Sequence, residues 1–283
     1  MMIAHSSFFS RLVSRQKGFT LVEMIVVIVI TGILGGIVAM FIRAPMQGYV
    51  DSARRADMTD IADIALRRIT RDLRLALPNS VRVTQVGAAY YLEFIPTSGG
   101  GRYRVGAPGN VLDFTVADTS FDVLGPMPTF TAGDSVAVYN LGIPGASAYD
   151  LPATNNRTAW TSNTATTVTI AAKKFPFESP GNRFQVISTP VTYVCVPVAG
   201  GAGGTLTRYW GYAIQAAQPV NVLAAPLSAA PHALMATNVG ACSFVYDANV
   251  VAQRSGLVTM QLTITESGES VTLYNSTHVS NVP

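Results

Sequence analysis

Glu23 is the residue whose placement most constrains the chemistry of this chain. It is the only charge in the apolar run of residues 19–42. A carboxylate inside a hydrocarbon segment costs several kcal/mol and tends to mark function. Such a group is tolerated when a cation comes close. Phe19 lies four residues earlier, directly after Lys17 and Gly18. Along a helix that separation is about 6 Å. If the chain were cut after Gly18, a free amine would therefore lie near Glu23.

The other candidate chemistry is sparse. His5, His232 and His278 are isolated, and no pair has metal-ligand spacing. Asp113, Asp118 and Asp122 could bring oxygens to a calcium ion, but they lack the spacing of a calcium loop and read better as loop and strand-edge residues. The glycine run Gly200 to Gly204 is followed by Thr205 without a lysine, so it is not a phosphate loop. It reads as a flexible loop. No Gly-x-Ser-x-Gly elbow is present. No enzyme, cofactor or metal site is signalled.

The apolar run must position Glu23. As a helix, its residues would span about 36 Å, enough to cross a bilayer. Arg11, Arg15 and Lys17 precede it and Arg43 follows. Basic leaders stay on the cytoplasmic side, which places the rest of the chain outside. An ordinary secretory signal would carry its small-residue cleavage site after the apolar core. Here Gly18 comes before it, so cleavage would leave the helix on the mature chain. A plain membrane anchor would explain length and flanking charge but not Glu23. Gly32 and Gly36, four apart, permit close helix packing in lipid, although glycine is also common in such helices.

Lys17-Gly18-Phe19-Thr20-Leu21-Val22-Glu23 with the run behind it resembles the signal of type IV prepilins and type II secretion pseudopilins. The resemblance implies cleavage after Gly18 and N-methylation of Phe19 by a membrane prepilin peptidase. It implies that Glu23 meets the terminal amine of a neighbouring subunit. The implied partners are other major and minor pilins, met through the amino-terminal helix, and an inner-membrane assembly platform. Pilins usually carry a proline midway along the apolar segment. Here the first proline after residue 18 is Pro45.

The remaining sequence fits that plan. Met58, Ile61, Ala65, Ile69, Leu73 and Ala76 recur at helical steps. Asp51–Arg55 and Asp63–Arg67 are acid-first pairs four apart. The helix is expected to run to about Leu77, with Pro78 ending it. From Val81 onward, short β-like runs alternate with turn residues. Strands are predicted at 90–95, 111–116, 135–140, 166–171, 184–188, 191–198, 205–209, 242–246, 257–265 and 270–274. Residues 216–236, rich in Ala and Pro, read as irregular. The expected organisation is a leader over 1–18, a transmembrane helix over 19–43, an amphipathic periplasmic helix over 44–78 and a β-rich head over 79–283, with room for two subdomains. The fold class is α+β: a long helix packed on an antiparallel head.

Cys195 and Cys242 lie in the strand-rich part. In an exported chain such a pair reads as one disulfide, the alternative being two buried thiols. Charged residues are 12% and apolar ones 49%, which excludes a disordered chain. Of 19 basic residues three lie in the leader, leaving 16 against 16 acidic ones, so nucleic acid is not an expected partner. The segment Gly256 to Ile264 with His278 to Pro283 resembles the MshO family, minor pilin-like proteins of the mannose-sensitive haemagglutinin (MSHA) pilus. Tyr193–Cys195 and Cys242–Tyr246 fit it, whereas residues 96–190 carry no resemblance. The implied role is a low-abundance subunit that initiates, primes or caps a pilus in the inner membrane and then at its tip. A minor pseudopilin of a type II secretion system is the near alternative. A tip adhesin or ligand-binding pilin, served by aromatics such as Trp160, Trp210 and Tyr212, is the alternative of another class.

Overall fold

The structure, a computed structural model, describes residues 18–251 and 255–283. The leader residues Arg11, Arg15 and Lys17 lie outside the described residues. One helix, α1 (Leu21–Leu73), opens the fold. Among the described residues fourteen strands follow: β1 (Arg82–Val86), β2 (Ala89–Phe94), β3 (Thr97–Tyr103), β4 (Asp118–Leu124), β5 (Ser135–Val138), β6 (Arg157–Asn163), β7 (Thr167–Lys173), β8 (Arg183–Ile187), β9 (Val191–Val196), β10 (Thr205–Tyr209), β11 (His232–Thr237), β12 (Val239–Val251), β13 (Ser255–Glu266) and β14 (Glu269–Ser280). This is the expected α+β class. The chain divides into two compact units, the first closing at Arg54 and the second opening at Arg55.

In the first unit the apolar helical segment is exposed all round from Leu21 to Ile42. It is long and apolar enough to cross a membrane. Pro45 lies inside the helix, where it supplies no N–H to the carbonyl four residues back.

The second unit is built around two main cores. In the first, Met58, Ala62, Ala65, Leu66, Ile69 and Leu73 form one buried helical stripe. It packs with Leu92, Phe94, Tyr193 and Leu206 of a five-stranded sheet ordered β1-β2-β9-β10-β11. Met260, Leu262 and Ile264 of a three-stranded sheet, β12-β13-β14, complete that core. Ile61, expected on the stripe, is 38% exposed; Ala62 and Leu66 take its place.

The second core fills a closed six-stranded barrel, β3-β4-β7-β6-β5-β8. Tyr103, Phe121, Phe175 and Phe184 are its largest buried side chains. The whole barrel enters the chain between β2 and β9, which pair directly with each other. Closure leaves its strands without a free edge. Leu77, Ile95, Ala137 and Ile187 form a small apolar patch where the barrel meets the five-stranded sheet.

Several expectations need correction. The helix ends at Leu73, short of Leu77. The backbone beyond it is taken by the sheet: the Leu77 N–H donates to the Ile95 carbonyl and the Thr97 N–H to the Leu75 carbonyl, both at 2.7 Å. Residues 111–116 are a loop, not a strand. There Asp118 accepts from the Asp113 N–H, and Asp113 accepts from the Thr115 N–H, local bonds that compete with a ladder. Of the unpredicted strands β1, β3, β4, β6 and β11, glycine-rich β3 and β11, which lacks β-branched residues before Thr237, owe most to their pairing partners, whereas β1, β4 and β6 mix β-favouring residues with polar ones. Residues 232–237, expected to be irregular, are strand β11.

The glycine run is packed, not loose. The Gly201 N–H donates to the Val198 carbonyl at 2.7 Å, and the Gly204 N–H to the Gly201 carbonyl at 3.0 Å. A Cβ on Gly201 would collide with the Thr265 carbonyl, and one on Gly204 with that of Val239. Gly201 also has φ +85°, a conformation that excludes most other residues.

Candidate functional site

The residues singled out by the sequence lie in two places. Gly18, Phe19 and Glu23 sit at the start of α1, and the cysteines lie in the head. Gly18 to Thr20 precede the helix, and Phe19 is 83% exposed. The Glu23 carboxylate closes a reciprocal cap over the first turn. Its Oε2 accepts from the Thr20 N–H and from the Thr20 hydroxyl, both at 2.9 Å. The Glu23 N–H donates to Thr20 Oγ1 at 3.3 Å. Thr20-x-x-Glu23 is thus a capping box, which satisfies two otherwise orphaned N–H groups. The spacing was present in the sequence, but the cost of an intramembrane acid drew the reading to a partner outside the chain.

Gly32 and Gly36 are one helical turn apart. A Cβ at either would meet nothing within 4 Å, so neither is required by packing within the chain. Both present bare backbone on an exposed apolar surface.

In the head, a disulfide joins Cys195 of β9 to Cys242 of β12. It ties the five-stranded sheet to the three-stranded one across their shared core. Asp113, Asp118 and Asp122 do not converge on a cation. Asp122 accepts from the Asn110 N–H at 2.9 Å and the Thr167 hydroxyl at 2.7 Å, and Arg104 lies 3.5 Å away. These hydrogen bonds and the Arg104 charge hold its carboxyl below the usual range. Among the described residues no group of three or more His, Cys, Asp or Glu could hold a metal ion. Of the aromatics, Tyr212 is buried, Trp160 stacks on Phe130 and Trp210 lies under the Arg208 guanidinium.

Sequence reading missed two carboxylates held in ion pairs within the head. Glu93, fully buried on β2, faces Arg82 of β1, whose Nη2 lies 2.6 Å from Oε1. The Thr192 hydroxyl donates to Glu93 Oε2 at 3.2 Å. Burial raises the Glu93 carboxyl above the ordinary range, against the opposing pull of Arg82. Arg82 also donates to the Gln215 and Ala216 carbonyls, fastening the 210–231 segment over the sheet. The second carboxylate is Asp72, in the last turn of α1, held by Arg68, Arg208 and Tyr193. The Arg82–Glu93 pair was legible only with the β1–β2 register in hand, because β1 was not predicted.

Residues 13–39 match the family described as the prokaryotic N-terminal methylation motif. The amino terminus thus carries a methylation motif of the kind found in prepilins. The match spans the signal and most of the apolar run and supports a pilin-like or pseudopilin protein, families of structural subunits. It says nothing of the head. No curated protein and no solved structure matches the chain.

Proposed function

We propose that this chain is a minor pilin-like subunit that helps initiate, prime or cap a type IV pilus of the MSHA kind. One observation carries the reading: a prepilin signal leads straight into an apolar helix whose surface is exposed all round. About 20 residues of exposed apolar helix are unstable in water and need lipid or neighbouring helices. Both covers are available to such a subunit in turn, first the bilayer and then the filament.

In this reading, prepilin peptidase cuts after Gly18 and methylates Phe19. The head lies in the periplasm and the helix joins other pilins on the assembly platform. Glu23 exchanges its Thr20 cap for the terminal amine of a neighbour. That exchange replaces two neutral donors by a cation, which a buried carboxylate favours. The carboxyl-terminal resemblance, in β13 and at the end of β14, supports a pilus over a type II secretion system.

The test is intact mass and amino-terminal sequence of the protein purified unreduced from its own membranes. N-methyl-Phe19 at the terminus, with a mass two protons below that of the free thiols, is the expected result. A chain retaining residues 1–18 would overturn the processing route and with it the subunit role.

A further inference from the structure

Strand β14 ends the three-stranded sheet β12-β13-β14, so one of its sides has no strand beside it. It pairs with β13 residue for residue over its whole length, without a bulge. Among the described residues no other main-chain hydrogen bond reaches Ser270–Ser280. Alternate N–H and C=O groups along about 40 Å of strand therefore face outward without a main-chain partner.

Exposed edges invite pairing with another chain, and proteins blunt them with short strands, bulges, Pro or Lys. Among the described residues the other sheet edges are blunted in such ways. Strand β1 has five residues. Strand β11 has six, with a register shift opposite Leu206 and Thr207. Strand β12 is shifted at two points and tied to β9 by the disulfide. The closed barrel has no edge. Strand β14 has twelve residues, no shift and no Lys, Arg or Pro.

The two faces of β14 define what fits beside it. The solvent face carries a hydroxyl ladder with β13: Thr263 bonds Thr272 at 2.8 Å and Thr265 bonds Ser270 at 2.9 Å. On the core face Val271 and Leu273 pack against the first core yet are only half-buried. From Ser270 to Ser280 there is no Asp, Glu, Lys or Arg. A charged side chain laid against this stretch would be desolvated without a counter-ion.

We propose that the free edge of β14 takes an uncharged, extended strand of another protein chain, with hydroxyl-bearing residues on one face and aliphatic residues on the other. Its main chain continues the ladder, its hydroxyls extend the Thr–Ser row, and its aliphatic side chains cover Val271 and Leu273. A second copy of this chain fits less well. Paired antiparallel with faces matched, centred on Tyr274 or on Asn275, it sets Leu273 opposite Asn275 or Thr277. The assignment does not depend on how the amino terminus is processed.

The experiment is hydrogen exchange of the detergent-solubilised full chain, read by mass spectrometry. The probe is a synthetic peptide of the β13 sequence, capped with lysines for solubility. That sequence has the required alternation, with Thr259, Gln261, Thr263 and Thr265 between Val258, Met260, Leu262 and Ile264. The control peptide has the same composition in scrambled order. At about ten times its Kd the probe should slow exchange within 270–280 about tenfold, leaving β1 and β11 unchanged. The scrambled peptide should have no effect. Asn275→Lys puts an inward-pointing charge in mid-edge and should weaken binding about tenfold. Tyr274→Ala, at a position 72% exposed, should weaken it by a smaller factor and keeps the test open if the lysine variant fails to fold. Melting temperatures near the parent's show that a variant is folded. No slowing within 270–280, equal slowing by the scrambled peptide, or an affinity unchanged in the folded variants overturns the proposal. So does slow exchange of 270–280 without peptide that quickens on dilution, which would place a second copy on the edge.

Discussion

The Tyr193 hydroxyl of β9 donates to Asp72 Oδ2, in the last turn of α1, at 2.8 Å. The same oxygen accepts from Arg208 Nε at 2.9 Å. Asp72 is thus the polar end of an otherwise apolar helix–sheet contact. Desolvation and the Asp72 charge push the Tyr193 hydroxyl well above its ordinary pKa, so it stays a donor.

Asp72→Asn should therefore destabilise the head by about 1–3 kcal/mol, the cost of a weakened charged hydrogen bond near an uncompensated arginine. Tyr193→Phe alone should cost about 1 kcal/mol. The double variant should cost less than the sum, because the two groups share one contact. Urea midpoints of the four proteins measure this, and strict additivity would contradict the coupling.

Glu93 predicts a direction with pH. Its carboxyl is raised by burial above an ordinary value of 4.5. The folded chain therefore holds that proton more tightly than the unfolded one. Its contribution to stability is full below 4.5 and is lost as pH rises through the raised value. Glu93→Gln cannot titrate. The stability of the parent relative to this variant should fall as pH rises from 4.5, read from urea midpoints across that range. A difference that grows with pH would show that Arg82 outweighs burial.

Gly201 and Gly200 separate two costs. Both have positive φ, near +85° and +81°. Only Gly201 abuts the Thr265 carbonyl; a Cβ on Gly200 meets nothing within 4 Å. Gly200→Ala should cost about 1–2 kcal/mol for backbone conformation. Gly201→Ala should cost about 1–3 kcal/mol more for overpacking. Equal melting temperatures for the two variants would mean that this turn gives way freely.

The two roles of Glu23, cap and proposed assembly carboxylate, can be told apart. Thr20→Val removes the hydroxyl half of the cap, leaving the Thr20 N–H contact, and should cost about 1 kcal/mol of helix-start stability. Glu23→Val removes both, and should leave cleavage intact while lowering co-purification with other pilins by about tenfold or more. If Thr20→Val lowers co-purification as much as Glu23→Val, the carboxylate acts only within its own chain.

What could be read without coordinates was local. The prepilin signal, the apolar helix and the amphipathic stripe from Met58 to Leu73 are patterns in neighbouring residues, and helices are made by neighbours. The strongly β-branched strands, such as β9 and β13, were legible for the same reason. The closed barrel was not. Its strand β3, with three consecutive glycines, has little intrinsic preference for extended structure and exists because β4 and β8 bond to it. The packed glycine turn, the early helix end at Leu73 and the buried Glu93 likewise depend on groups brought in from distant parts of the chain. The linear pattern alone carries the methylation motif and a helix long and apolar enough to cross a membrane, because a motif is read as a string and a helix bonds within itself. Tertiary structure alone decided the surface that the head presents, because strand register places side chains that no spacing in the chain relates.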